Sequence, residues 1–181
     1  MANHSYTSVK IIDELPLLED LRNSLICETG EKTEYGVLEG LGYSDDEMYD
    51  MDLRGYIDYF VLDEDKGILD ISIIHKWCSP IDFLRAIAKK FPDASIYYST
   101  EETGCEIFET NDLDGEFFDR YIVIDIESED EYFHDFDDLQ KWAIDLFGFD
   151  KKEIDTFDKL KSKVEEKDDD LSVYEFKIVD L

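Results

Sequence analysis

The sequence predicts an α+β fold, a mainly antiparallel sheet with helices packed on it. Three observations predict it. Several β-rich runs follow one another without a helical stretch between them, which argues against a doubly wound parallel sheet. Other segments carry apolar residues at helical spacing. The hydrophobic fraction is 43%, with 12 Phe and 11 Tyr, so a chain of 181 residues has enough apolar material for a real core.

The elements follow in order. Residues 5–12 are rich in β-formers and read as a first strand. Asp13 and Pro16 open a helix, Asp13 as a capping side chain and Pro16 in the first turn. Its apolar stripe is Leu17, Leu18, Leu21 and Leu25, and it ends near Gly30. From Tyr35 to Gly55, glycines and acids interrupt the pattern, and an acidic loop with one helical turn is expected. Residues 56–62 and 68–76 read as two strands joined by a turn at Asp63–Gly67. Ser79 and Pro80 signal a helix start, Ser79 as the cap, with a buried face through Phe83, Leu84 and Ile87 and a stop at Pro92. Strands are expected at 95–100, 105–110 and 117–126, with a turn at 111–115. Helices follow at 132–147 and about 150–165, then a closing strand at 171–179. Residues 1–126 read as the α+β core. Residues 127–181 read as an acidic helix pair and closing strand packed on the same domain.

Charge is the dominant feature. Forty-eight Asp and Glu face 18 Lys and Arg, for a net charge of −30. Such an excess opposes compaction and favours solubility and fast encounter with cations. The 14 lysines and many aromatics weigh against halophily, and the interleaving of acids with Ile, Phe and Tyr weighs against an acidic tail. Two readings remain: a solvated acidic surface, or a scaffold presenting negative charge to a positive partner. Four arginines and a field of the wrong sign argue against direct nucleic-acid binding.

Cys27, Cys78 and Cys105 form no CxxC pair, which fits a reducing compartment. The first residues show no signal-peptide pattern, and no run approaches the roughly 20 apolar residues of a membrane span. The expected location is cytoplasmic. His4, His75 and His134 lie far apart and read as core or solvated residues. No HExxH, zinc-finger, P-loop or GxSxG pattern occurs, so no catalytic, cofactor or metal residue is assigned. The glutamates around Cys105 disfavour a reactive thiolate. The Asp63–Gly67 and Asp112–Gly115 loops miss the calcium-loop spacing and read as ordinary turns.

The run His75-Lys76-Trp77-Cys78-Ser79-Pro80, followed by Phe91-Pro92, a strand, and Glu101-Glu102-Thr103-Gly104, has a family likeness. It resembles the YubB-type ferredoxin-like domain of plasmid and phage proteins, over roughly residues 1–115 and most closely over 70–104. That family's strand ends in a Trp-Ser-Pro-Pro-like motif; here Cys78 interrupts Trp-Ser and Ile81 replaces the second Pro. The resemblance implies a ferredoxin-like core and a mobile-element origin, and implies no activity.

The most suggestive acidic stretch is Asp125, Glu127, Glu129, Asp130, Glu131, Asp135, Asp137 and Asp138, eight carboxylates with no Lys or Arg among residues 125–138. In an extended chain, residues two apart project from one face about 6.6 Å apart. Phosphates along one nucleic-acid strand are spaced on the order of 6–7 Å. A second cluster, Asp45, Asp46, Glu47, Asp50 and Asp52, and the turn acids Asp63, Glu64 and Asp65, could extend that surface. The sequence thus points to a nucleic-acid mimic. It would bind a basic nucleic-acid-binding protein and inhibit a host defence system, such as a restriction enzyme or a CRISPR nuclease complex. The alternative is an acidic accessory protein of a mobile element that binds a basic partner without mimicry. An enzyme with no recognisable motif ranks third.

Overall fold

A computed structural model describes residues 4–26 and 32–181. The expected helix end at Gly30, and Cys27, lie outside the described residues. In chain order the elements are β1 (His4–Ile12), α1 (Leu15–Leu25), α2 (Glu34–Gly40), α3 (Asp45–Met48), β2 (Tyr56–Asp63), β3 (Ile68–Lys76), α4 (Ile81–Lys90), β4 (Ser95–Glu102) and β5 (Ile107–Thr110). They continue with β6 (Tyr121–Asp125), β7 (Glu131–Phe133), α5 (Phe136–Phe147), α6 (Phe157–Lys167), β8 (Leu171–Glu175) and β9 (Lys177–Ile178). The α+β class is as expected. The chain forms two compact units, residues 1–111 with 178–181, and residues 112–177. This division differs from the expected 1–126 and 127–181: the second unit is inserted into the first and includes β6.

The first unit is built on a sheet ordered β2-β3-β1-β4-β5-β9. β1 runs antiparallel to both neighbours, with Val9 opposite Ile71 and Tyr98. β3 is also antiparallel to β2, so β1 and β2 are parallel with β3 between them. Likewise β3 and β4 are parallel with β1 between them, and each pair is a split βαβ crossover.

Alternation explains the packing: Val9 and Ile11, then Leu69, Ile71 and Ile73, then Ile96 and Tyr98 are the buried positions of β1, β3 and β4. They meet Leu18, Leu21 and Leu25 of α1 and Phe83, Leu84 and Ile87 of α4 in one core. Each fully buried large apolar side chain contributes roughly 1.5–3 kcal/mol, which outweighs the local details the sequence suggested. The capping expectations illustrate this. Glu14, not Asp13, precedes α1 and its side chain makes no capping bond; Asp13 accepts the Glu14 N–H. Pro80 takes the cap position of α4, and the Ser79 hydroxyl donates to Glu109 Oε2 at 2.6 Å instead.

The stretch expected as an acidic loop carries two helices, α2 and α3. Thr33 caps α2 by accepting the Gly36 N–H at 3.1 Å, and Ser44 with Glu47 forms a capping box on α3. Val37, Leu38, Tyr43 and Met48 join the core. The four apolar anchors are spread among glycines, which hid the helical period.

In the second unit β6 is flanked by β7 and β8, both antiparallel. Val123 and Val173 pack with Leu139, Ala143, Ile154, Leu160 and Val164 of the helical layer. The expected strand 117–126 begins at Tyr121, and the expected helix at 132 is preceded by β7 and starts at Phe136. The helix expected from about 150 begins at Phe157, after a 3₁₀ turn at Lys151–Glu153 capped by Asp150. The expected closing strand divides into β8, in the second unit's sheet, and β9, in the first sheet.

The turn at 111–115 is present, with Gly115 at φ 67°. Buried Asp112 accepts the backbone N–H groups of Glu116, Phe117 and Phe118, at 3.0, 2.7 and 2.9 Å. Asp112→Ala orphans those donors and is expected to lower the stability of the second unit by about 2–4 kcal/mol, read as a shift in the urea unfolding midpoint. No helix among the described residues is long and apolar enough to cross a membrane.

Candidate functional site

The first unit holds a polar cluster inside its core. His75 continues the buried parity of Leu69, Ile71 and Ile73 along β3 and is 0% exposed. Beside it lies Glu34, also 0% exposed, at the start of α2. Backbone hydrogen bonds tie this corner together: the Glu34 N–H donates to the Gly55 carbonyl at 3.2 Å, and Ile57 N–H donates to the Lys32 carbonyl at 2.7 Å. In return the Gly55 N–H donates to Glu34 Oε2 at 2.9 Å. A side chain at position 55 would collide with Glu34 and His75, so glycine is what lets the strand approach.

Glu34 Oε2 lies 3.5 Å from His75 Nε2, while Oε1 has no hydrogen-bond partner among the described residues. Burial raises the Glu34 carboxyl to about 8. Asp52 also reaches Nε2, its carbonyl at 3.4 Å and its Oδ1 at 3.8 Å, while Cys78 Sγ is 3.6 Å from Nδ1 and 3.5 Å from Asp52 Oδ2. Burial, then the Asp52 carboxylate, push the Cys78 thiol up to about 11, so as a free thiol it is a poor nucleophile at neutral pH. Asp52 is held by both arms of Arg54 and by its N–H on Asp82 Oδ2, and the Arg54 bonds keep its carboxyl below the usual range. Cys78 reaches this position through a tight turn. Trp77 adopts φ 68°, a strained conformation for a bulky residue, and the Ser5 hydroxyl lies 2.5 Å from the Cys78 carbonyl.

Sequence reasoning left His75 as core or solvated and did not join it to Cys78, Asp52 and Glu34; the structure buries it. The period-two burial of β3 carries the signal for His75. Glu34 lies just before the stretch read as loop, was assigned to no element, and had none.

The acids singled out by sequence are divided between the two units. In the first, Asp45 accepts the Tyr35 hydroxyl at 2.5 Å, Glu47 caps α3, and Asp63 pairs with Lys66 at 2.9 Å across its turn. Asp46, Asp50, Glu64 and Asp65 are exposed. In the second unit the expected extended ladder from Asp125 to Glu131 is not formed. β6 ends at Asp125, whose carboxylate accepts the Glu127 N–H and the Ser128 hydroxyl at 2.8 and 2.7 Å, and the chain turns back so that Glu131 pairs with Val123. Side-chain capping of this bend outweighs the alternation that predicted a continuous strand. Asp135 caps α5, and Asp137 lies 3.3 Å from Lys151.

The hairpin and α5 enclose a groove of about 730 Å³ within the second unit. Phe133, Trp142, Tyr132 and Leu146 form its apolar wall, and Glu131, Asp138, Asp119 and Asp145 its acidic rim, with Lys141 the basic member. The Trp142 indole N–H donates to Glu131 at 3.1 Å, which sets that carboxyl against an aromatic surface. Glu127, Glu129 and Asp130 are exposed on the adjoining bend.

In comparisons with known proteins, no protein family, curated protein or solved structure matches the chain.

Proposed function

We propose that this chain is an acidic binding protein that occupies the nucleic-acid-binding surface of a basic protein partner. One observation carries the reading: the eight carboxylates of residues 125–138, without a Lys or Arg among them, lie on the bend and helix start beside an aromatic groove. Aromatic walls anchor the aliphatic stems and guanidinium planes of Lys and Arg while the rim meets their charge. Because the acids follow a hairpin rather than a straight strand, the likeness to nucleic acid is in charge density, not in phosphate spacing.

The strand order β2-β3-β1-β4 supports a ferredoxin-like core. Together with the resemblance to a plasmid and phage domain, it directs attention to host defence nucleases in the cytoplasm, restriction enzymes or CRISPR complexes, as partners. The broken ladder favours one alternative, an accessory protein that grips a basic partner away from its nucleic-acid site.

Displacement of a fluorescent DNA duplex from candidate nucleases separates the two. Binding with displacement supports competition, and binding without it supports the alternative. The interaction is expected to weaken by at least about tenfold between roughly 50 and 200 mM salt. Glu127, Glu129 and Asp130 changed together to Lys, with the capping Asp125 and Asp135 spared, are expected to weaken it by a further tenfold or more. Variants that bind like the parent would remove this surface from the interface.

A further inference from the structure

The cluster around His75 gathers the kinds of side chain that bind a metal. Three different donor groups, the Cys78 Sγ, a His75 ring nitrogen and an Asp52 carboxylate oxygen, converge within 4.8 Å of one another, with Asp52 Oδ1 3.8 Å from Nε2. The contacts from the sulfur are 3.6 Å to the imidazole and 3.5 Å to the carboxylate. Both match edges of a tetrahedron around zinc. Bonds of about 2.3 Å to sulfur, about 2.0–2.1 Å to imidazole and about 2.0–2.2 Å to carboxylate put neighbouring ligand atoms about 3.4–3.6 Å apart.

The opposite side of the imidazole supplies a second, independent observation. Glu34 is wholly buried, its Oε2 fixed by the Gly55 N–H and set 3.5 Å from Nε2. A hydrogen-bond acceptor behind a histidine fixes the ring tautomer and turns the other nitrogen's lone pair outward, an arrangement typical of metal-bound histidines; here the Asp52 carbonyl lies 3.4 Å from Nε2, with the Glu34 carboxyl beside it. Glu34 Oε1 makes no hydrogen bond among the described residues, an unusual state for a buried polar atom. The left-handed Trp77 is the backbone distortion that turns Cys78 back toward a histidine three residues earlier.

We propose that Asp52, His75 and Cys78 are three ligands of a zinc-class divalent cation, with Glu34 as the positioning residue behind His75. The cation takes His75 through Nδ1 and Cys78 as the thiolate, whose proton leaves to solvent on binding. Mixed sulfur, nitrogen and oxygen donors suit zinc or cobalt over magnesium or calcium. The partly exposed Cys78 leaves the fourth position to a solvent or substrate atom, the pattern of an open rather than a closed site. Arg54, which now holds both oxygens of Asp52, shares that carboxylate with the metal.

Cobalt(II) titration of the full chain, stripped with a chelator, tests the assignment. A thiolate-to-cobalt charge-transfer band saturating at one equivalent is expected, and zinc should abolish it. The band should survive in the Cys27→Ser, Cys105→Ser double variant and vanish in Cys78→Ser, with circular dichroism confirming that each variant is folded. Asp52→Asn, which keeps the thiol, is expected to weaken cobalt binding more than tenfold and serves should Cys78→Ser fail to fold. Glu34→Gln should weaken it about 10- to 100-fold. No band, or a band that persists without Cys78, overturns the site and reduces metal uptake to surface carboxylates. Unchanged affinity in Glu34→Gln overturns the positioning role.

Discussion

Gly55→Ala is expected to lower the stability of the first unit by about 2–4 kcal/mol. An added methyl would overlap Glu34 Oε1 and lie 2.7 Å from its Cδ and 2.9 Å from His75 Cδ2, closer than carbon atoms pack. The neighbours are buried and cannot swing into solvent. Overpacking of this kind costs about 1–3 kcal/mol, and displacing the Glu34 carboxylate from the Gly55 N–H adds a further 1 kcal/mol or so. Urea unfolding followed by far-UV circular dichroism reads the loss. A double-mutant cycle identifies the cause. In a Glu34→Ala background two of the three close contacts are gone, and the penalty of the Gly55→Ala change should fall by at least about half. An undiminished penalty would place the strain elsewhere.

Glu34 itself gives the second large effect, through pH. Burial raises its carboxyl from 4.5 in the unfolded chain to about 8 in the fold. Below pH 4.5 it is protonated in both states and costs nothing. Between about 4.5 and 8 the unfolded chain has released a proton that the folded chain keeps, so stability falls as pH rises. The slope is at most about 1.4 kcal/mol per pH unit, and the loss is complete above the folded value. The accumulated penalty is on the order of 3–5 kcal/mol. Glu34→Gln carries no such proton. Its stability relative to the parent should therefore climb steadily from about pH 5 to 8 in chelator-treated samples. The many other carboxylates cancel in that difference. A flat difference would mean that Glu34 is ionised in the fold.

Both effects come from a part of the chain that its sequence disguised. The strand alternation in β1 and β3, and the leucine stripe of α1, were legible because each buried face repeats at a fixed period. Glu34 was not, because its burial depends on Gly55 closing against it from a segment 21 residues away. The acidic run 125–138 shows the opposite failure. Its alternating residues predicted a straight strand, but Asp125 satisfies two donors in its own bend and the chain reverses. A carboxylate that is one of many along the chain becomes distinctive only when its partners are known. Asp52 was picked for its charge, yet its nearest neighbours are a guanidinium, a thiol and an imidazole.

The insertion of residues 112–177 into the first unit bears on the order in which the protein assembles. The Val179 N–H donates to the Thr110 carbonyl at 2.8 Å, so the departing and returning chain lie side by side. Joining them across a flexible stretch of that length would cost about 4 kcal/mol in loop-closure entropy. The insert is contiguous and has its own core, so it can form before the sheet around it is finished. Once formed, it hands its two ends over as neighbours, and the last strand docks as if closing a short hairpin.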